Sequence, residues 1–166
     1  MTTVTDAVRS EILEAAKTGN VAAVDRLARE NGNGVFRVAD AAGNTPMHWA
    51  CYQGQTEVVE AIIDKLGIRS SADPIFTPKS NDGYTPMHYA CYNGQREVVE
   101  AIIDKLGITS SADPIFTAKA NDGGTPLEGT KISTNDVDAM IGGSGELNTA
   151  LLQTCGDVSL FFPTYP

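Results

Sequence analysis

No apolar run in the 166-residue chain approaches the roughly 18 residues of a membrane-spanning helix, so no helical span is expected. The opening stretch MTTVTDAVRSEILEAAK has no apolar core of signal-peptide type and already carries acids, so no export or transit signal is expected either. Basic residues are scarce. Twelve Lys and Arg face 21 Asp and Glu, giving a formal charge of −9. That balance argues against nucleic acid and anionic membranes as main partners, because their phosphates would be repelled, and it permits a basic protein partner. Cysteine is also scarce, with Cys51, Cys91 and Cys155 forming an odd set. A disulfide framework is therefore not expected, and reduced thiols fit a cytoplasmic or nuclear setting. There is no glycine-rich phosphate loop and no G-x-S-x-G. GGSGEL, Gly142–Leu147, follows no predicted strand and reads as a linker.

What the chain does have is an internal repeat. Gly43–Asp82 and Gly83–Asp122 share 33 of 40 positions. The differences are Asn44/Tyr84, Trp49/Tyr89, Gln53/Asn93, Thr56/Arg96, Arg69/Thr109, Pro78/Ala118 and Ser80/Ala120. A third copy starts in phase at GGTPLEGT, Gly123–Thr130, and then decays. Upstream, Glu14–Ala28 aligns with Trp49–Ile63 at an offset of 35, matching Gly19 to Gly54 and Leu27 to Ile62. Periodicity on this scale is the signature of a stacked array.

Each unit reads as helix, turn, helix, extended loop. Thr45 can cap a short helix that Pro46 starts, with Met47, Ala50 and Cys51 on one face. Gly54 allows a left-handed stop. A second helix from about Thr56 carries Val58, Val59, Ile62, Ile63 and Leu66 as its apolar stripe, and Gly67 closes it. SSADPIFTPKSNDG has the composition of a hairpin-like loop. Neither unit alone could bury its apolar faces, whereas stacked neighbours could.

These motifs, GNTPMHWACYQGQTEVVEAII and GYTPMHYACYNGQREVVEAII, each followed by ADP, resemble the ankyrin repeat family over roughly residues 5–141. The resemblance implies an all-α, ankyrin-like helix-turn-helix solenoid with hairpin-like loops, a single domain over 1–166. An N-terminal capping repeat would occupy about 5–35, full repeats about 36–82 and 83–122, and a degenerate C-terminal repeat and tail 123–166. The usual period is about 33 residues, so each central unit carries about seven extra. They are expected to lengthen the second helix by nearly a turn and to enlarge the loop. The third copy puts Glu128 where the family has histidine and Thr130 where it has a small residue, and its NDVDAMI lacks a full apolar stripe. It reads as a closing cap or an eroded repeat.

The pairs His48/Cys51 and His88/Cys91 offer the ligand types of a Cys₂His₂ zinc site. In the family, however, this histidine bonds loop backbone and the cysteine position is small and buried, so no metal, no cofactor and no catalytic thiol are expected. The family's first helices and loop tips line a concave surface where partners bind. The matching residues here are Asn44, Trp49, Tyr52, Gln53, Tyr84, Tyr89, Tyr92 and Asn93, expected to be exposed and aromatic-rich as interfaces are. Trp49 and Tyr89 could instead pack between helices. The expected function is non-catalytic protein binding as an adaptor, scaffold or regulatory subunit. The alternative is a dedicated inhibitor or assembly factor of one enzyme. The oligomeric state stays open, with a monomer favoured. Ile75–Phe76 and Ile115–Phe116 are expected to tuck onto neighbouring units rather than protrude. Thr77-Pro78 is a low-specificity site for proline-directed phosphorylation. The apolar tail ELNTALLQTCGDVSLFFPTYP reads as a lid on the last unit, with docking elsewhere as its rival.

Overall fold

The computed structural model describes residues 4–143. The expected lid, its short helix around Leu147–Leu152 and Cys155 lie outside the described residues. Helix α1, Asp6–Thr18, and α2, Val21–Asn31, form the first pair. The second is α3, Pro46–Gln53, with α4, Thr56–Leu66. The third is α5, Pro86–Asn93, with α6, Arg96–Leu106. A four-residue helix α7, Pro114–Thr117, and a helix α8 over 134–143 follow. No strand occurs among the described residues.

The short helices start where the sequence places them. The Thr45 hydroxyl accepts the His48 backbone N–H, and the His48 ring accepts the Thr45 N–H, a capping box with histidine at its third position. Gly54 ends α3 with φ +73°, a left-handed geometry that strains any residue bearing a Cβ. Helices α1, α3 and α5 pack side by side as one layer, and α2, α4 and α6 as a second. Between the layers lie Met47, Ala50, Cys51, Val58, Val59, Ile62 and Ile63, all fully buried, with their counterparts from α5 and α6. Burial of one such aliphatic side chain contributes about 1.5–3 kcal/mol.

The extra residues do not lengthen the second helix. α2, α4 and α6 each have 11 residues. Seven residues separate Gly67 from Ile75, against two between Gly32 and Val35. The insertion is thus a loop, anchored by Ile68 at its start and by Ile75–Phe76 at its end, all buried. The Asp73 carboxylate accepts the Ile75 N–H and turns the chain there. Val35–Phe36 occupies the same place in the first unit, inside a 3-10 turn, and is completely buried. All three apolar pairs therefore belong to the core, the inward packing expected of the two central ones.

The third unit keeps only half of its pattern. Residues 125–133 form turns, not a helix, and α8 supplies the closing layer through Val137 and Met140, beside Ile132. Across the outer layer, Lys65 pairs with Asp25 at 3.0 Å, Lys105 with Asp64 at 2.8 Å and Arg96 with Asp136 at 2.8 Å. Arg26 joins Glu11 and Glu30. Exposed pairs of this kind are screened by solvent and contribute little each, so they help to fix register and do not drive stacking.

Candidate partner-binding groove

The groove-lining helices are held by polar ties that repeat from unit to unit. His48 Nε2–H donates to the Tyr84 carbonyl at 3.1 Å while its Nδ1 accepts the Thr45 N–H. A ring that donates at one nitrogen and accepts at the other is neutral. Burial pushes the His48 pKa down to about 4 from 6.5, against the opposing pull of the Tyr84 carbonyl. His88 repeats the arrangement with Thr85 and the Gly124 carbonyl, and burial lowers its pKa as well. Gln55 Nε2 donates to the Lys17 carbonyl and Gln95 Nε2 to the Tyr52 carbonyl. Neither glutamine stood out in the sequence, since its role depends on a carbonyl in the preceding unit.

The turn tips are tied as well. Ser80 N–H donates to the Tyr84 carbonyl and Gly83 N–H to the Ser80 carbonyl, closing a hairpin-like turn. Asn81 N–H and Nδ2 donate to Ala42 and Ala41 carbonyls of the turn before it. A Cβ on Gly83, where φ is +83°, would meet the Asn121 backbone nitrogen at 2.5 Å.

On this scaffold the aromatics form a connected row. The Lys17 ammonium sits 4.3 Å from the Trp49 ring centroid. Tyr89 meets Tyr84 at a tilt of 59° and 5.8 Å, while Trp49 meets Tyr52, and Tyr52 meets Tyr89, edge-on at 5.7 Å. Edge-to-face pairs of this kind contribute about 0.5–1.5 kcal/mol each beyond the area they bury. Trp49 Nε1–H donates to Asp40 at 2.9 Å, and Tyr84 O–H donates to Asp122 at 3.1 Å.

The eight sequence-predicted residues do not share one environment. Tyr52, Gln53 and Tyr92 are exposed, with Tyr92 at 66%. Trp49, Tyr84, Tyr89 and Asn93 are half-buried. Asn93 turns back to the Tyr89 carbonyl of its own helix. Asn44, expected on the surface, is buried. Its backbone is held by Asp40, and its Oδ1 accepts no hydrogen bond from the described residues. The hairpin-like turn folds Asn44 inward, where it lines a cavity of about 180 Å³ with His48, Trp49, Tyr52 and Tyr89. A larger cavity of about 460 Å³ adjoins it, lined by Tyr52, Tyr84, Tyr89 and Tyr92 together with Asp122 and Glu128. The two acids were not singled out from sequence, although Glu128 was visible as the substituted histidine of the third copy.

The histidine–cysteine pairs do not come together as a site. Both nitrogens of each ring are engaged as above, and burial raises the Cys51 thiol pKa far above its usual range and that of Cys91 to about 12. Such thiols are protonated and unreactive. Among the described residues, no group of three or more His, Cys, Asp and Glu is placed to hold a metal ion. No described helix is long and apolar enough to cross a membrane.

The description "Ankyrin repeats (3 copies)" fits the chain over residues 12–114. A search of curated proteins finds no match.

Proposed function

We propose that this chain, which belongs to the ankyrin repeat family, is a non-catalytic protein-binding module whose partner lies along the aromatic groove. Repeats of this family imply protein–protein interaction. The finer reading is an adaptor, scaffold or regulatory subunit working in the cytoplasm or nucleus, with a partner of basic character to suit the charge of −9. One observation carries it. The row Trp49–Tyr52–Tyr89–Tyr84, continued by exposed Tyr92, lines two adjoining cavities, with Trp49 also packed against the core. Large, half-buried aromatic surfaces with polar edges are typical hot-spot residues. A dedicated inhibitor or assembly factor of one enzyme would use the same surface.

The test is affinity purification with quantified stoichiometry, followed by binding of the recovered partner to variants. Trp49→Ala and Tyr92→Ala should each weaken binding by ~1–3 kcal/mol. Glu60→Ala and Glu100→Ala, on the outer helices, should leave affinity nearly unchanged. Circular dichroism must first show each variant folded, because Trp49 also holds Asp40 and Tyr52. Normal binding by the folded aromatic variants would refute the groove. One dominant partner would favour the inhibitor or assembly factor, and several would favour the adaptor.

A further inference from the structure

The larger cavity exists because the third unit lacks its first helix. α3 is covered by α5, but α5 is followed by the turns of 125–133, which leave Tyr92 open and bring Glu128 into the lining of the same cavity. That part of the lining is anionic. Among the described residues, Glu128 accepts only a backbone N–H, from Thr125 at 3.0 Å, and Asp122 accepts the Gly124 N–H at 2.9 Å and the Tyr84 O–H. These neutral donors leave the charge of both carboxylates in place. Among the described residues, no lysine or arginine forms an ion pair with either, whereas Asp25, Asp64 and Asp136 on the outer layer are each paired. The Gly124 and Tyr84 donors hold the Asp122 carboxyl below the usual carboxylate range, so it is ionised at neutral pH.

The same lining holds tyrosine rings, whose faces carry negative potential and attract cations. Rings and carboxylates in one cavity therefore favour the same occupant. The other end of the row already shows the pairing within the chain, where Lys17 lies over Trp49. We infer that the cavity between Tyr92 and Glu128 receives an arginine side chain from an exposed basic segment of the partner protein. Its guanidinium would stack on the tyrosines and donate to Glu128 and Asp122. Arginine suits the place better than lysine because its planar fork stacks and donates to carboxylates at once. This inference rests on the groove being the partner-binding face.

A positional-scanning library of synthetic hexapeptides, presented to the whole chain, tests it. Arginine should be selected at one position, and replacing it by the neutral isostere citrulline should weaken binding about tenfold. Glu128→Gln keeps an acceptor for the Thr125 N–H but removes the charge, and it should weaken the selected peptide by a similar factor. Tyr92→Ala should do the same, and Tyr92→Phe should retain most of the affinity. Glu60→Gln, on the outer layer, should bind as wild type. No selection at all, or equal losses for Glu128→Gln and Glu60→Gln, would overturn the inference, the latter by showing diffuse charge attraction. Selection of apolar peptides that still need Tyr92 would overturn the arginine pocket while leaving the groove intact. Peptides that bind independently of both Tyr92 and Trp49 would overturn both.

Discussion

The two central units share 33 of 40 residues, yet their matching side chains live in different surroundings. Tyr52 is 40% exposed and Tyr92 66%. His48 reaches into a complete neighbouring turn at Tyr84, whereas His88 reaches the Gly124 carbonyl of a unit without a first helix. In a stacked array each unit contacts only its neighbours, so an identical sequence acquires its properties from what stands beside it. The eroded third unit therefore does more than cap the array: it leaves the neighbouring surface open as a cavity.

Removing the histidines should expose this asymmetry most strongly. His48→Ala deletes a buried ring, its tie to Thr45 and its link to Tyr84, and should destabilise the fold by about 4 kcal/mol. His88→Ala removes the same bonds beside a less complete neighbour, and about half that loss is expected. Urea unfolding of both variants measures the difference. Equal losses would mean that the third unit supports its neighbour as fully as the central one does.

Acid should act next. Because the folded pKa of His48 lies at about 4, below 6.5, the unfolded chain takes up the proton first as pH falls. Stability present above pH 6.5 should therefore be lost progressively down to about pH 4, by roughly 3 kcal/mol from this one group. His88 acts in the same direction. Carboxyls held low, such as Asp40 and Asp122, contribute their loss only below the ordinary 3.8. Urea midpoints measured from pH 7 to 4 should fall for wild type, and the fall should be shallower in His48→Ala than in His88→Ala. A flat profile would show that His48 is not held neutral.

The smallest contrast concerns the turn glycines. Gly54 and Gly94 have φ of +73° and +72°, so valine is strained equally at both. A Cβ at Gly54 also collides with the Gln95 side chain that reaches back to Tyr52, while at Gly94 it meets Lys131 side-chain carbons at 3.2 Å. Gly54→Val should cost about 2 kcal/mol and Gly94→Val about 1 kcal/mol. Thermal midpoints of the two variants check the order, and the reverse order would place the tighter junction at the third unit.

Much of this was legible in the chain. Thr-Pro-x-His, the glycine stops and the Val-Val-x-x-Ile-Ile stripes are local signals. They follow from hydrogen-bond geometry within one turn and from helical spacing, so the helices, caps and core of each unit could be read directly. The loop pairs were also readable, and aligning Val35–Phe36 with Ile75–Phe76 at an offset of 40 would have revealed the first of them. The expected longer second helix failed because period alone gives the number of added residues, not their conformation. Gly67, with φ +62°, ends the helix and sends them into the loop.

The site was only half legible, because its properties depend on neighbours 36 to 43 residues away. Sequence placed Trp49, Tyr52, Tyr84, Tyr89 and Tyr92 on related faces, since equal positions in stacked repeats share a side. It could not show that Asn44 turns inward, or that Asp122 and Glu128 line one cavity with Tyr92. Local periodicity fixes which residues form each helix and which face is apolar. Exposure, the shift of each histidine and the shape of the groove arise where one unit meets the next, and for α5 that neighbour is the non-helical segment 125–133, so only the tertiary structure decided them.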